Sequence, residues 1–253
     1  MPAPHNPFKA ALAARQPQIG LWLGLANPIA AELCSHAGFD WLVIDGEHGP
    51  NEINSTLAQL QAIGTRSHAV VRPPLGEVHR LKQLLDLGAQ SILVPMIETA
   101  EQAALMARAM LYPPQGLRGV GTALARASDY DSIPDYLTTA NDQTCLLLQI
   151  ESTAGMANLE AICATPGVDG VFIGPSDLAA DMGYLGRPGI AEVQRVVEDG
   201  LARIQASGQT AGILTIDLKL AQHTLDLGAT FVAVGTDVGI LTQGAVELAR
   251  HFK

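Results

Sequence analysis

The chain has 253 residues, 48% of them hydrophobic, so it can bury a sizeable core and is not a disordered chain. Fifteen basic residues against 25 acidic ones give a net charge of −10 with no basic stripe, which argues against nucleic acid or an anionic membrane as a partner. No apolar run approaches the ~20 residues of a membrane span. The start, Met1-Pro-Ala-Pro-His5, lacks the basic and apolar regions of a signal peptide, and Cys34, Cys145 and Cys163 have no CxxC spacing, so the expectation is a cytoplasmic protein with reduced thiols.

Eight β-rich runs recur: Gln18–Leu25, Trp41–His48, His68–Pro74, Ser91–Glu98, Cys145–Glu151, Gly170–Asp177, Thr210–Thr215 and Phe231–Thr236. Most are continuously apolar, as expected of parallel strands buried on both faces. Helical patterns fill the gaps at Asn51–Ile63, Glu77–Leu87, Ala100–Leu111, Leu159–Ala164, Ile190–Ala206 and Leu218–Leu227, most of them stopped by Gly or Pro. Eight βα units in about 250 residues is the arithmetic of a (β/α)8 TIM barrel, here expected as a single domain over 1–253. Two connections break the rhythm. Tyr112–Thr144 is long enough to have a task or to be partly helical, and Leu178–Gly189 reads as a lip beside the sixth strand.

A barrel of this kind builds its chemistry at the C-terminal strand ends. Strand two ends on Asp45-Gly-Glu47-His48, strand three on Val71-Arg72, strand five on Gln149-Ile-Glu151 and strand six on Ser176-Asp177. Glu151 and Asp177 are hard oxygen donors suited to a divalent cation, or else helix caps at strand–helix junctions. Arg72 lies in an apolar run, so an anion must accompany it, either a neighbouring acid or a substrate carboxylate held in its fork. Asp45 precedes His48 by three residues and could orient its imidazole for proton transfer. Asp86 sits near a helix C-terminus, where the helix dipole disfavours an acid, which suggests a partner elsewhere. Asp237 reads as a cap for the last helix and Glu98 as solvent-exposed. The only lysines are Lys9, Lys82, Lys219 and Lys253, and none lies in a predicted strand. Schiff-base or pyridoxal chemistry, which needs a lysine aimed into the site, is therefore disfavoured.

Several motifs, in order along nearly the whole chain, resemble the class II pyruvate aldolases of the HpcH/HpaI family. They are Gly20-Leu-Trp-Leu-Gly24, Gly38-Phe-Asp-Trp-Leu42, Ile44-Asp-Gly-Glu-His48, Val71-Arg-Pro73, Tyr112-Pro-Pro114, Arg118-Gly-Val-Gly121, Gln149-Ile-Glu151, Gly170-Val-Phe-Ile-Gly-Pro-Ser-Asp-Leu-Ala179, Asp181-Met-Gly-Tyr184, Gly212-Ile-Leu214 and Phe231-Val-Ala-Val-Gly235. The resemblance implies a barrel of the phosphoenolpyruvate/pyruvate type. It implies reversible retro-aldol cleavage of a 4-hydroxy-2-oxo acid, such as 4-hydroxy-2-oxoheptanedioate, to pyruvate and an aldehyde such as succinic semialdehyde. A 2-dehydro-3-deoxyglucarate-type or hydroxypyruvate-accepting aldolase is the near alternative; a coenzyme A thioester lyase would need a basic groove not evident in the sequence. The resemblance further implies Mg2+ or Mn2+, with Co2+ as a substitute, on Glu151 and Asp177. Arg72 would bind the keto-acid oxygens and help stabilise the enolate, Gln149 would line the site, the amides of Ser176 and Asp177 would bind the pyruvate carboxylate, and Leu214 would pack on its methyl. His48, oriented by Asp45, would serve in proton transfer. Asp86 would reach a neighbouring subunit's site in a homohexamer whose dimers exchange the C-terminal helix Val238–Phe252. The stretches Leu214–Lys219 and Gly235–Leu241 depart from the pattern expected of the heptanedioate enzymes, which leaves the aldehyde pocket open.

Overall fold

A computed structural model describes residues 1–253. The chain opens with helix α1 (Pro7–Ala13) and then alternates: β1 (Gln18–Leu23), α2 (Pro28–Ser35), β2 (Trp41–Asp45), α3 (Ile53–Ile63), β3 (His68–Arg72), α4 (Val78–Asp86), β4 (Ser91–Val94) and α5 (Ala100–Met110). The second half continues with α6 (Tyr136–Thr139), β5 (Cys145–Ile150), α7 (Thr153–Ala157), α8 (Leu159–Cys163), β6 (Gly170–Ile173), α9 (Pro175–Asp181), α10 (Ala191–Ala206), β7 (Ala211–Leu214), α11 (Leu218–Asp226), β8 (Phe231–Thr236) and α12 (Asp237–His251). The eight strands are all parallel and pair in sequence order, and β1 closes on β8 to complete the barrel. Every residue of β2 and β5 is buried, which explains why these runs carry no polar alternation.

Two apolar layers hold the barrel. The larger, of 41 residues, lies between the sheet and the helices; the smaller, of 12, fills the barrel interior. The interior is aromatic at its N-terminal end, where Trp41 and Phe231 are fully buried. Glycines face these rings: a Cβ on Gly20 would stand 2.6 Å from Trp41 Cδ2, and one on Gly212 would stand 2.5 Å from Phe231 Cδ2. Helix α1 closes this end. Phe8 and Leu12, each 1% exposed, join the interior cluster, a burial worth about 1.5–3 kcal/mol per side chain. Polar pins seat the helix: Asn6 donates to Ser91 Oγ at 3.1 Å, and Lys9 pairs with Asp169 at 3.4 Å. Half-buried His68 stacks on Phe8, and desolvation pushes its imidazole down to about 4.

The structure departs from the sequence expectations in several places. Helix α1 was not anticipated, and α2, α7 and α9 were not given bounds, although the junctions after Glu151 and Asp177 read as helix starts. Strand β6 stops at Ile173, because Pro175 fixes its own φ and lacks an N–H, which suits the first turn of a helix better than a ladder. Asp177 therefore sits in the first turn of α9, and the expected lip begins as that helix. The long connection after α5 is partly helical, with 3-10 turns at Thr122–Leu124 and Arg126–Ser128 before α6. Glu98 is only half-exposed and accepts a hydrogen bond from Ser152 Oγ at 2.6 Å. Asp237 does not cap α12, since Thr236 does; Asp237 is buried and receives the amides of Gly24 and Leu25. Helix α12 packs against β1 and β8 and leaves Ile240, Leu241, Leu248 and Phe252 exposed. No helix is long and apolar enough to cross a membrane.

Candidate active site

Side chains of a strand alternate between its two faces, so each interior row continues to the mouth with a period of two. On β2 the row Trp41, Val43 leads to Asp45, and on β3 Val70 leads to Arg72. On β5 Cys145 and Leu147 lead to Gln149 and then Glu151, and on β6 Phe172 leads to Gly174. The apolar rows fill the interior, and the same rows turn polar where they reach the C-terminal end.

Asp45 and Arg72 are register partners on adjacent strands. Arg72 Nε donates to Asp45 Oδ1 at 2.9 Å and Nη2 to Oδ2 at 2.7 Å, a bidentate fork between side chains 7% and 5% exposed. Trp22 Nε1 donates to the same Oδ2 at 3.1 Å, and the guanidinium lies 5.0 Å from the Trp22 ring centroid. Burial raises the Asp45 carboxyl, but the bonds and charge of Arg72, with the Glu47 amide and Trp22, outweigh it and hold it below the usual carboxylate range. Glu47 Oε2 stands 2.6 Å from Arg72 Nη1 but out of line for a hydrogen bond, and this buried oxygen has no other partner. Burial pushes the Glu47 carboxyl up; Arg72 opposes the shift, while Asp45 and Asp177 add to it.

Glu151, 2% exposed, follows β5 directly. Its Oε1 accepts from the Met96 amide at 2.9 Å and its Oε2 from Gln149. Met96 reaches this amide position through a left-handed backbone, φ 56°, sparsely populated for a residue with a Cβ and a form of strain that gathers at functional sites. Gly174 leaves room for the pair: a Cβ there would lie 2.9 Å from Glu151 Cβ and 3.2 Å from Gln149 Nε2. Burial raises the Glu151 carboxyl, and Glu47 and Asp177 push it the same way.

A cavity of about 820 Å³ opens at this end, and His48, Arg72, Gln149, Ser176, Asp177 and Leu214 all face it. Asp45 and Glu151 lie behind its wall. One predicted relation needs correction, that of Asp45 with His48. Both Asp45 oxygens are taken by Arg72 and Trp22, so Asp45 orients the arginine and not the His48 ring; it reaches His48 only at the backbone amide, 3.4 Å away. Arg72 is already paired with acids of its own chain, and the carboxylate-binding part of its fork faces Asp45. Asp86 does not face its own subunit's cavity, as a residue expected at a neighbouring subunit's site would not; it accepts from the buried Arg118 Nη2 at 2.9 Å on the barrel's flank. Sequence reasoning left Trp22, Glu47 and Met96 without a role. For Trp22 and Glu47 the available signals were the inward row through Gly20 and the acid-rich end of strand two.

Four carboxylates thus gather at the mouth of a (β/α)8 barrel, Asp45 and Glu47 paired with the Arg72 guanidinium and Glu151 and Asp177 beside them. This is the arrangement of a barrel enzyme acting on a small molecule at its C-terminal face. The family profile described as HpcH/HpaI aldolase/citrate lyase matches residues 18–243. A hydroxypyruvate/pyruvate aldolase of Deinococcus radiodurans is 59% identical over 249 residues, covering 98% of this chain and 90% of the relative. A 4-hydroxy-2-oxo-heptane-1,7-dioate aldolase of Escherichia coli is 54% identical over 249 residues, covering 98% and 95%. The crystal structure of an HpcH/HpaI aldolase/citrate lyase family protein from Burkholderia cenocepacia superposes with a TM-score of 0.94 at 38% identity, covering 98% of this chain and 99% of that one. The chain belongs to the HpcH/HpaI family and is an aldolase, a carbon–carbon lyase.

Proposed function

We propose that the protein catalyses reversible retro-aldol cleavage of a 4-hydroxy-2-oxo acid to an aldehyde and a three-carbon keto acid, pyruvate or hydroxypyruvate, with a divalent cation held by Glu151 and Asp177. The hydroxypyruvate option is supported by the names of relatives such as those from D. radiodurans and Cupriavidus necator, the latter 57% identical. The observation that carries the reading is the cluster of four carboxylates at the mouth, Asp45, Glu47, Glu151 and Asp177, of which Arg72 pairs with only two. No group of three or more His, Cys, Asp or Glu side chains forms a closed metal cage. Two carboxylates with open positions suit Mg2+ or Mn2+, which accept oxygen ligands from substrate and water, and Co2+ is a plausible substitute.

When bound, the cation would supply polarisation of the 2-keto oxygen and charge for the enolate. Arg72, fixed by Asp45 and Trp22, provides positive charge beside the keto-acid oxygens. The amides of Ser176 and Asp177, in the first turn of α9, lack intrahelical acceptors and face the substrate carboxylate. Leu214 packs on the donor's C3, and Gln149 holds Glu151. His48 takes the C4 hydroxyl proton; the C3–C4 bond breaks, its electron pair passes to C3 as enolate, and the aldehyde leaves. Protonation at C3 releases the keto acid. Asp86 serves the site of a neighbouring copy in a hexamer that exchanges α12, and the three unpaired thiols suit the cytoplasm.

Removing divalent ions with a chelator should abolish both aldehyde release and solvent-deuterium exchange into the pyruvate methyl, and Mg2+ or Mn2+ should restore both. Full exchange in the metal-free protein would refute the assignment.

A further inference from the structure

Strand β4 ends early, and the way it ends decides how Glu151 is held. The β4–β5 ladder runs Ile92↔Leu146 and Val94↔Leu148, and Cys145 N donates to Gln90 O at 2.8 Å. In a parallel ladder each bonded residue straddles two residues of its partner, so the next β4 amide in the alternation, that of residue 96, would take Gln149 O. It does not: Ile97 N takes that carbonyl, at 3.1 Å. One residue has been inserted on the β4 side, a bulge of the kind that re-aims groups beside active sites. Pro95, which has no N–H to give, leads into it, and Met96 sits on it with φ 56°. The amide lost to the ladder turns to Glu151 Oε1, at 2.9 Å. Two successive amides thus grip the end of β5, one on the Glu151 carboxylate and one on the Gln149 carbonyl. Gly155 of α7 makes room for the turn, since a Cβ there would lie 2.8 Å from Ile97 O. The Met96 side chain itself is half-exposed and belongs to neither apolar layer.

Resting on the assignment of Glu151 as a metal ligand, we propose that the bulge at Met96 is a positioning device for that ligand: the left-handed backbone of residue 96, and not its side chain, aims the amide that sets the Glu151 carboxylate. Oε1 is fixed by this amide and Oε2 by Gln149, so the carboxylate cannot rotate without breaking one of the two bonds. Partners of this kind orient metal ligands, and their loss typically costs about 10–100-fold in metal affinity.

The test is the Mn2+ affinity of the full-length protein without substrate, read from the electron paramagnetic resonance of free Mn2+. Glycine adopts the left-handed backbone freely, and valine, branched at Cβ, resists it. Met96→Gly should therefore bind Mn2+ within about twofold of wild type, and Met96→Val at least about tenfold more weakly with its circular dichroism unchanged. A side chain that mattered, in the barrel or against a neighbouring copy, would give the reverse order, with valine tolerated and glycine impaired, and that order would overturn the inference. Replacing Met96 by its α-hydroxy acid turns the amide into an ester and removes the N–H while keeping the side chain. This variant should also lose at least about tenfold, and it decides the matter if Met96→Val does not fold. Wild-type affinity in the ester would refute the role of the amide. Glu151→Gln is the control. If it binds Mn2+ as wild type does, the metal assignment falls and this inference with it; if it loses binding while the ester does not, this inference alone is removed.

Discussion

Asp45→Asn preserves shape and removes one charge, and the structure sets its cost. Both carboxylate oxygens are acceptors: Oδ2 takes Arg72 Nη2 and Trp22 Nε1, and Oδ1 takes Arg72 Nε and the Glu47 amide. Whichever way the new amide turns, its NH2 faces two donors. One charge-assisted bond, about 1.5–3 kcal/mol, and one ordinary bond, about 0.5–1.5 kcal/mol, are lost, with Glu47 still opposite the guanidinium to limit the damage. The net expectation is about 2–4 kcal/mol of stability at pH 7, or about 4–16 °C in Tm for a chain of this size. Freed of its fork, Arg72 should also swing off the substrate position and kcat/KM should fall about 100-fold. The folded Asp45 carboxyl lies below its unfolded value of about 3.9, so its contribution is present above that pH and is lost as pH falls through the folded value. The gap between wild type and D45N should therefore be full at neutral pH and close in acid. Urea denaturation from pH 3 to 7 with parallel kinetics measures it. A variant within about 0.5 kcal/mol and twofold of wild type at pH 7 would refute the clamp.

Trp22→Phe keeps a ring beneath the guanidinium and deletes one bond to Asp45, so it should cost about 1 kcal/mol by denaturation and lower kcat more than it raises KM. An unchanged kcat would detach Trp22 from the arginine. Gly174→Ala has an ordinary φ of −95°, so its penalty is steric alone. Displacing Glu151 and Gln149 should cost about 1–3 kcal/mol and weaken Mg2+ binding, read by calorimetry, and wild-type metal affinity would contradict the packing described.

The strands were legible because parallel strands buried on both faces leave uninterrupted apolar runs, and their positions fell within a few residues of those observed. Helix α1 was not, since it stands outside the βα repeat and its apolar face, Phe8 and Leu12, makes sense only against the barrel floor. At the site, His48 looked like the partner of Asp45 because three residues separate them. Arg72, 27 residues away, is the true partner because parallel pairing puts them side by side. Chain distance was a poor guide where ladder register decides contact. Glu47 was visible in the same acid-rich strand end, but nothing in a linear sequence distinguishes a carboxylate pointing at solvent from one buried against a guanidinium.

The pairing of bare backbone with large rings inside the barrel bears on how such a protein can change. Enlarging Gly20 or Gly212 meets Trp41 or Phe231, and trimming either ring opens a void under the mouth. Neither partner has a neutral first step, so the two positions must drift together or not at all. The floor beneath the chemistry is in this sense inherited in matched pairs, while Ile216 at the rim of the cavity, exposed, is free to vary alone.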